Sequence, residues 1–452
     1  MKFILSELAS MLNAQCYQVD NNQLIIDGCS IDTRTIKPNQ AFLAFKGDQV
    51  DGHDFIQQAQ AKNAAVAIVT QPRQIKFPQL VVQDIESALV TMAVFARKQF
   101  LGKVIGLTGS SGKTTTRQLI QHLLKDQFKV SSNLGNQNNE LGVPLALCNL
   151  DQESAIFIAE MGARKKGDIF YLVDLVKPDV ALVTNIGESH LAIFGSRQAI
   201  AETKTEIFSA LDDEGIAVIN LDDDFVELLK SRAHGKQIMS FSLADRTANC
   251  FIDQIQLMPE SSAFNLHFNH HIYPCLLSVA GVHQVKNALS AMTTAIAVGA
   301  DINRSVEQLS SFTGTSGRSF VCAGNWGGVL IDDAYNANPS SVKAAIDLLA
   351  LYQSKRFLVL GDMLELGDEA VRLHEEVVQY ALSKGIEQVY LFGEIASAVF
   401  IKETTRIQHF SNKLALLTQL QNVLQPDDVL LLKGSRSIAM DELLPSLVKG
   451  QR

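Results

Sequence analysis

The sequence predicts an α/β protein of three domains: a small N-terminal α/β domain, a central P-loop parallel-sheet domain and a C-terminal Rossmann-like α/β domain. Three observations predict it. The chain has 452 residues, and at ~150 residues per domain that length supplies about three hydrophobic cores. Short β-rich runs alternate with amphipathic stretches through the middle and last thirds, the rhythm of parallel strands covered by helices on both faces. A glycine-rich loop, Gly106 to Thr116, joins an apolar strand to the start of a helix, which is the setting a phosphate-cradling loop requires.

The elements follow in order. Residues 1–82 hold QLIIDG, QAFLAFKG and AAVAIV, separated by turns, with a helical stretch near Phe55 to Lys62; they read as the first domain. From Lys103 the runs KVIGLT, SAIFIAE, VALVT and IAVIN alternate with segments such as RQLIQHLLKDQF, so residues 83–311 read as the central domain. After FTGTSGRS (312–319) come GVLIDDA, RFLVLGD, QVYLFG and DVLLLKG, a second doubly wound unit over 312–452. No internal repeat, heptad array or low-complexity tract interrupts this order.

Composition narrows the function classes. Hydrophobic residues make up 47% and charged residues 19%, the mix of a globular protein. A net charge of −9 disfavours a nucleic-acid surface, which needs clustered Lys and Arg, while leaving room for a basic pocket around a small phosphate ligand. The six cysteines, Cys16, Cys29, Cys148, Cys250, Cys275 and Cys322, include no C-x-x-C pair, so buried free thiols are expected. Glu7 and Asn13 precede any signal-like apolar core, and no run reaches the ~18 apolar residues of a membrane span. The expected compartment is the cytoplasm, with no stable membrane insertion. Nothing such as a heptad stripe demands assembly, so a monomer is expected.

GLTGSSGKTTT carries the sharpest chemical signal. Backbone N–H groups from Gly109, Ser110, Ser111, Gly112 and Thr114, flanked by Thr108 and Thr115, would surround phosphates, Lys113 would reach the β- and γ-phosphates, and the Thr114 hydroxyl would sit on Mg²⁺. The usual loop spacing asks for glycine at position 107, where this chain has Leu107, with glycines at 106 and 109 instead. The strand SAIFIAE ends in Glu160, a candidate Mg²⁺ ligand because ligands collect at the carboxyl ends of parallel strands. VALVT runs into Asn185 and His190, a second candidate metal ligand at the same edge.

Other residues are ambiguous from composition. Lys204 lies in RQAIAETKTEIFSAL, beside Ile200, Ile207 and Phe208 on a helical period, and by composition reads as a solvated lysine paired with Glu206 or Glu202. HFNHH (267–271) superficially resembles a metal cluster but reads better as a solvated strand with imidazoles on opposite faces. His283 and Asn287 lie one helical turn apart, either meeting a nucleotide base or packing in the core. Asp332, Asp333, Tyr335, Asn336 and Asn338 crowd the end of the strand VLI, before Pro339 and Ser340 open a helix. They form either a ligand site or a well-capped loop.

The ordered set resembles the Mur ligase family over essentially the whole chain. The residues that carry the resemblance are SIDTRTIKPNQAFLAFKGDQVDGHDF, GLTGSSGKTTT, NNELGVPL, AEMGARKKGDI, TNIGESHLAIFGS, ETKTEIF, GVHQVKNALSA, IDDAYNANPSSVKAA, LGDMLELGDEAVRLH and KGSRSIAMDEL. In that family the loop is written T-G-x-x-G-K-T, so Leu107 becomes expected. YNANPSS and GDMLELG point to the member that adds a dipeptide, and the D-N-P-R motif of the ligase adding the third residue is absent. Thr33 stands where D-S-R is commoner and Asn63 where glycine is usual.

The resemblance implies an ADP-forming, ATP-dependent ligase that joins D-alanyl-D-alanine to UDP-N-acetylmuramoyl-tripeptide through an acyl phosphate. Its implied setting is cytoplasmic peptidoglycan precursor synthesis, which serves wall biogenesis, cell shape and the division cycle. The resemblance further implies a UDP-holding N-terminal domain with Thr33, Arg34, Lys46, Gly52 and His53 near the precursor, joined by Asn138. It implies Thr114 and Glu160 on one Mg²⁺, His190 on a second, and carbamylation of Lys204. Asn287 with His283 would meet adenine, Arg318 and Asp333 the phosphates and ribose, and Tyr335, Asn336, Asn338 and the loop around Glu365 the dipeptide. A hinge is expected near residue 311. Alternatives at this point are another ligase of the same family, a folylpolyglutamate synthase-like ligase, or a P-loop regulatory NTPase.

Overall fold

The structure, a computed structural model, describes residues 1–399 and 405–450. Its centre is a nine-stranded sheet built around Lys103–Thr108. That strand buries five of its six residues because parallel partners lie on both sides: Val180–Val183 pairs with it on one edge and Ile156–Glu160 on the other. Both faces of such a strand are covered by helices, which is why its sequence is a continuous apolar run rather than an alternation. Val130–Ser132 closes one side of the sheet, and Ile216–Asn220 and Gln237–Ser242 continue the other in parallel.

Beyond Gln237–Ser242 the sheet changes character. Cys250–Leu257 continues in parallel, then Ser262–Phe268 and His271–Leu277 turn back antiparallel. The HFNHH segment is therefore a hairpin rather than one strand. Phe268 pairs with His271, leaving Asn269 and His270 as a two-residue turn with φ of 47° and 63°, the left-handed pair that matches strand twist. His267 stacks on Phe251 at 4.3 Å and meets Asp253 at 3.1 Å, and the described residues include no group of three or more His, Cys, Asp or Glu placed to hold a metal.

The N-terminal segment forms a five-stranded sheet, from Gln15–Tyr17 through Gln79–Val81, Val66–Val69 and Ala41–Leu43 to Cys29–Ser30. Its core runs without a break into one face of the central sheet. The helix Ile85–Gln99, capped by the Asp84 carboxylate accepting the Ser87 N–H at 2.7 Å, is part of that shared core. Asn63 adopts φ 60°, and asparagine is among the few residues that tolerate the left-handed region where glycine is usual. The third sheet runs Phe320–Ala323, Val329–Asp333, Val429–Lys433, Arg356–Gly361, Gln388–Phe392, Ile407–Phe410, with separate apolar clusters on its two faces.

Four cysteines are buried free thiols, as expected, but Cys16 is exposed and Cys322 half-buried. Both lie on strands at the outer edges of their sheets, where only one side finds a neighbour.

Candidate active site

The strand Lys103–Thr108 delivers the loop Gly109–Gly112 to the N-terminus of the helix Lys113–Leu124. Only glycine fits at two points. Gly109 has φ 154° and a Cβ there would lie 2.0 Å from Thr184 Oγ1; Gly112 has φ 76° and a Cβ would lie 2.4 Å from Asn287 Oδ1. The loop is pinned from the neighbouring strand end, where Asn185 Oδ1 accepts the Ser111 N–H at 3.0 Å and Thr184 donates to Ser111 O at 2.7 Å. Thr108 spends its hydroxyl inside the sheet on Met161 O. Lys113 curls over the loop, Nζ to Gly109 O at 2.7 Å, and burial together with the Arg318 charge lowers its pKa despite Glu160.

Glu160 is a buried carboxylate, not a surface acid at a strand end: it is 1% exposed. Its Oε1 accepts from Thr114 at 3.1 Å and Asn138 at 2.8 Å, and its Oε2 accepts from Arg117 Nε at 3.1 Å. Asn133 bonds the backbone of Glu160 on both sides, Oδ1 to N at 2.9 Å and Nδ2 to O at 2.9 Å. Such a carboxylate is stable when buried because three donors, one of them a guanidinium, compensate its charge. Thr114 and Glu160 together make a pair of hard oxygen donors. That set suits Mg²⁺, which takes one or two protein oxygens and completes its shell with phosphate and water.

His190 occupies the left-handed region, φ 60°, at the start of the short helix Leu191–Phe194, a conformation that costs a non-glycine residue about 1–2 kcal/mol. Its Nδ1 stands 2.5 Å from Glu365 of the third domain's loop. Burial lowers the imidazole pKa, with Lys113 and Lys204 adding to that and Glu365 opposing it. Lys204 overturns its solvated reading. It is 2% exposed within Arg197–Thr205, and among the described residues no carboxylate pairs with it. Glu206 instead accepts the N–H groups of Gly167 and Phe170, both at 3.0 Å, and Glu202 lies 3.5 Å from Lys166. Burial, then repulsion from Lys113, pushes the Lys204 amine down to about 7, with Asp168 and Glu206 pulling the other way.

The third sheet supplies the opposite wall. Ser189 donates to Ser110 O at 2.8 Å and accepts from Asn338 Nδ2 at 3.4 Å, so the loop after Val329–Asp333 is stapled to the phosphate loop. Asn338 also caps Pro339–Leu349 in a reciprocal box with Ser341. Arg318 lies over the Tyr335 ring, 3.9 Å from its centre. Asp333 accepts from Ser319 N at 2.9 Å and from the buried Lys433 at 2.5 Å, and Lys433 also reaches Asn336 O at 2.9 Å. Asn336 itself is exposed. Asn287 sits over Gly112, whereas His283 turns to Ser319 at 3.3 Å, its pKa lowered by burial.

A cleft of about 2480 Å³ opens between the N-terminal sheet and the segment Asn133–Gly142. Thr33, Arg34 and Gly52 line it; Lys46 and His53 do not. His53 is a structural pin, with Nδ1 on Asp51 at 2.7 Å and Nε2 accepting the Thr70 N–H at 3.1 Å. Arg34 is exposed and forked onto Asp32 at 2.7 Å, and Thr33 bonds Gln58 at 3.2 Å. Asn133 thus belongs both to the cleft wall and to the Glu160 bonding set.

Family models match the three regions in turn: "Mur ligase family, catalytic domain" over residues 25–105, "Mur ligase middle domain" over 107–295 and "Mur ligase, glutamate ligase domain" over 317–436. The UDP-N-acetylmuramoyl-tripeptide--D-alanyl-D-alanine ligase of Escherichia coli (strain K12) is 34% identical over 445 residues, 98% of each chain. The chain belongs to the Mur ligase family. The protein of the same name from Bacillus subtilis (strain 168) is 31% identical over 99% of each chain. A MurF crystal structure from Acinetobacter baumannii superposes with a TM-score of 0.90 at 33% identity, covering 99% of this chain and 98% of that one. A MurF ligase from Thermotoga maritima in complex with ADP gives 0.81 at 28% identity, covering 92% and 96%.

Against this Mur ligase frame, sequence reasoning missed Arg117, Asn133, Ser189 and Lys433. Arg117 opens the run RQLIQHLLKDQF without a local carboxylate to mark it, because its partner lies 43 residues away. Lys433 ends an apolar strand, the one signal that placed it at the same sheet edge as Asp333.

Proposed function

We propose that this Mur ligase joins D-alanyl-D-alanine to UDP-N-acetylmuramoyl-tripeptide, converting ATP to ADP and phosphate through an acyl phosphate. One observation carries the reading: Lys113 and Arg318 stand close enough at the glycine loop for their charges to act on each other, beside Thr114 and the buried Glu160. Such a cluster is stable when anions fill it, and a γ-phosphate beside a substrate carboxylate supplies that charge. The full-length relatives carry this activity in their names, and solved folylpolyglutamate synthases at 14–16% identity share only the fold.

A bare carboxylate is a poor electrophile, because nothing on it can leave. Its oxygen attacks the γ-phosphorus, ADP departs, and the acyl phosphate now carries phosphate as a leaving group. The dipeptide amine adds to the carbonyl carbon, loses a proton, and expels phosphate to leave the amide. The loop N–H groups and Lys113 hold the phosphates for in-line transfer. Thr114 and Glu160 would hold one Mg²⁺ and His190 a second, whose chemistry would be to neutralise charge between the two anions. Lys204 is buried as an amine with a pKa of about 7, the neutral form that takes up CO₂ to become an anionic carbamate.

The cleft walled by Thr33, Arg34 and Asn133 leads the precursor from the N-terminal sheet towards Glu160. In this reading the domains run 1–82, 83–311 and 312–452, with a hinge near 311, and three sheets that share no strand support that division. Closure of the third domain excludes water from a hydrolysable intermediate. In the same reading the enzyme works as a monomer in the cytoplasm. No helix among the described residues is long and apolar enough to cross a membrane.

Phosphate release from ATP with Mg²⁺, measured with precursor and dipeptide separately and together, tests the reading. The expected result is strong release only with both and a product heavier by the dipeptide less water; turnover indifferent to the dipeptide would overturn it.

A further inference from the structure

Three strand-end loops of the third domain are knotted together. Ser435 accepts the Leu364 N–H at 2.8 Å, donates to Ala337 O at 3.4 Å, and its own N–H donates to Asp362 O at 3.1 Å. The next residue, Arg436, leaves this knot on a short 3₁₀ turn, 5.7 Å from the centre of the Tyr335 ring that also carries Arg318. Arg436 is 61% exposed, and only Nη1 is engaged, on Asp441 at 2.7 Å. Among the described residues its other N–H groups have no partner.

The position gives those free donors a meaning. Asn338, three residues after Tyr335, is stapled through Ser189 to the phosphate loop. Arg318 is close enough for its charge to act on Lys113. Arg436 and Arg318 therefore share one aromatic ring, and Arg318 neighbours Lys113. Lys433 is committed to Asp333 and Lys343 to Glu376, whereas Arg318, on the same Tyr335 ring, acts on Lys113 at the glycine loop. A dipeptide whose amine attacks at the phosphate site must place its carboxylate about one dipeptide length away, ~7 Å for two extended residues. A planar guanidinium fork with unused donors matches a carboxylate in shape and charge.

Resting on the proposed ligation, we propose that Arg436, positioned by Tyr335, receives the terminal carboxylate of the incoming amino substrate and so selects dipeptides with a free C-terminus. The side chain acts on binding and register, not on the bond that forms.

The test compares D-alanyl-D-alanine with D-alanyl-D-alaninamide, which lacks the carboxylate charge, in wild type, Arg436→Ala and Arg436→Lys. Loss of a charge-assisted pair predicts that the KM for the acid rises roughly 10- to 100-fold in Arg436→Ala. The KM values for ATP and precursor should stay within about twofold of wild type. Wild type should prefer acid over amide by a similar factor, Arg436→Ala should lose the preference, and Arg436→Lys should regain part of it. A merely structural role would lower activity toward acid and amide alike. Dipeptide-dependent ligation in which Arg436→Ala keeps its preference for the acid overturns this assignment alone; no dipeptide-dependent ligation by wild type overturns the proposed reaction and this assignment with it.

Discussion

Asn287 Oδ1 fills the space above Gly112 where any larger residue would put its Cβ, 2.4 Å from the ideal position of that atom. The helix Val282–Ala297 thereby clamps the loop Gly109–Gly112 through the Asn287 side chain. Two constraints coincide at Gly112, since φ is also 76°. Gly112→Ala should raise the KM for ATP at least tenfold, with about 1–2 kcal/mol of strain from the left-handed backbone alone. Adding Asn287→Ala should recover the steric part and leave the backbone part. Steady-state kinetics of the two variants decide it, and an unchanged KM in Gly112→Ala would refute the clamp.

Arg117 and Glu160 form a buried ion pair, 4% and 1% exposed. Removing one partner of such a pair leaves an uncompensated charge, at a cost of about 3–5 kcal/mol. Arg117→Leu should lower the thermal midpoint by several degrees, and Arg117→Leu with Glu160→Gln should restore most of that loss because the stranded charge is gone. If the single variant melts with wild type, the pair contributes nothing net.

The alternation of apolar runs and amphipathic stretches was readable because parallel strands buried on both faces must be continuously apolar, as VALV is and as VLLLK is up to its terminal Lys433. The glycine loop was readable because its steric demands are local. Lys204 was not: its burial depends on Glu206 being drawn away to cap Asp168–Val176, a partner choice made 39 residues distant. The antiparallel hairpin at 262–277 was half legible, since HFNHH showed alternation while its turn lay hidden inside the histidines. His53 was misplaced for a similar reason, because a motif position does not reveal that both ring nitrogens are already bonded.

Asn149 joins the N-terminal sheet to the central domain by imitating a strand. Its side chain accepts the Cys29 N–H at 3.1 Å and donates to Cys29 O at 2.8 Å, while Oδ1 also accepts from Gln40 at 2.8 Å. Asn149→Ala leaves those groups without partners, about 1–3 kcal/mol for each buried one. Amide exchange at Cys29 should accelerate and the KM for the UDP precursor should rise, while the KM for ATP stays within about twofold. Exchange at Cys29 as slow as in wild type would show that the sheet edge holds without it.

The Lys204 amine titrates near 7, well below the ordinary ~10.4 of lysine. Because burial depresses it, the neutral amine predominates above that value and the ammonium below it. CO₂ adds only to the neutral amine, forming an N–C bond as the nitrogen gives up a proton. Carbamylation should therefore increase with pH through the neutral range. Enzyme held CO₂-free at pH 6 should lose activity and regain it with bicarbonate at pH 8, faster than at pH 6.5. Lys204→Ala should fall by several orders of magnitude and be rescued in part by millimolar acetate or propionate, which return an anion to the cavity. The same acids should not rescue Lys113→Ala, whose lost group is a cation. Wild-type kinetics in Lys204→Ala, or equal rescue of both variants, would remove the carbamate and leave Lys204 as a buried cation beside Lys113.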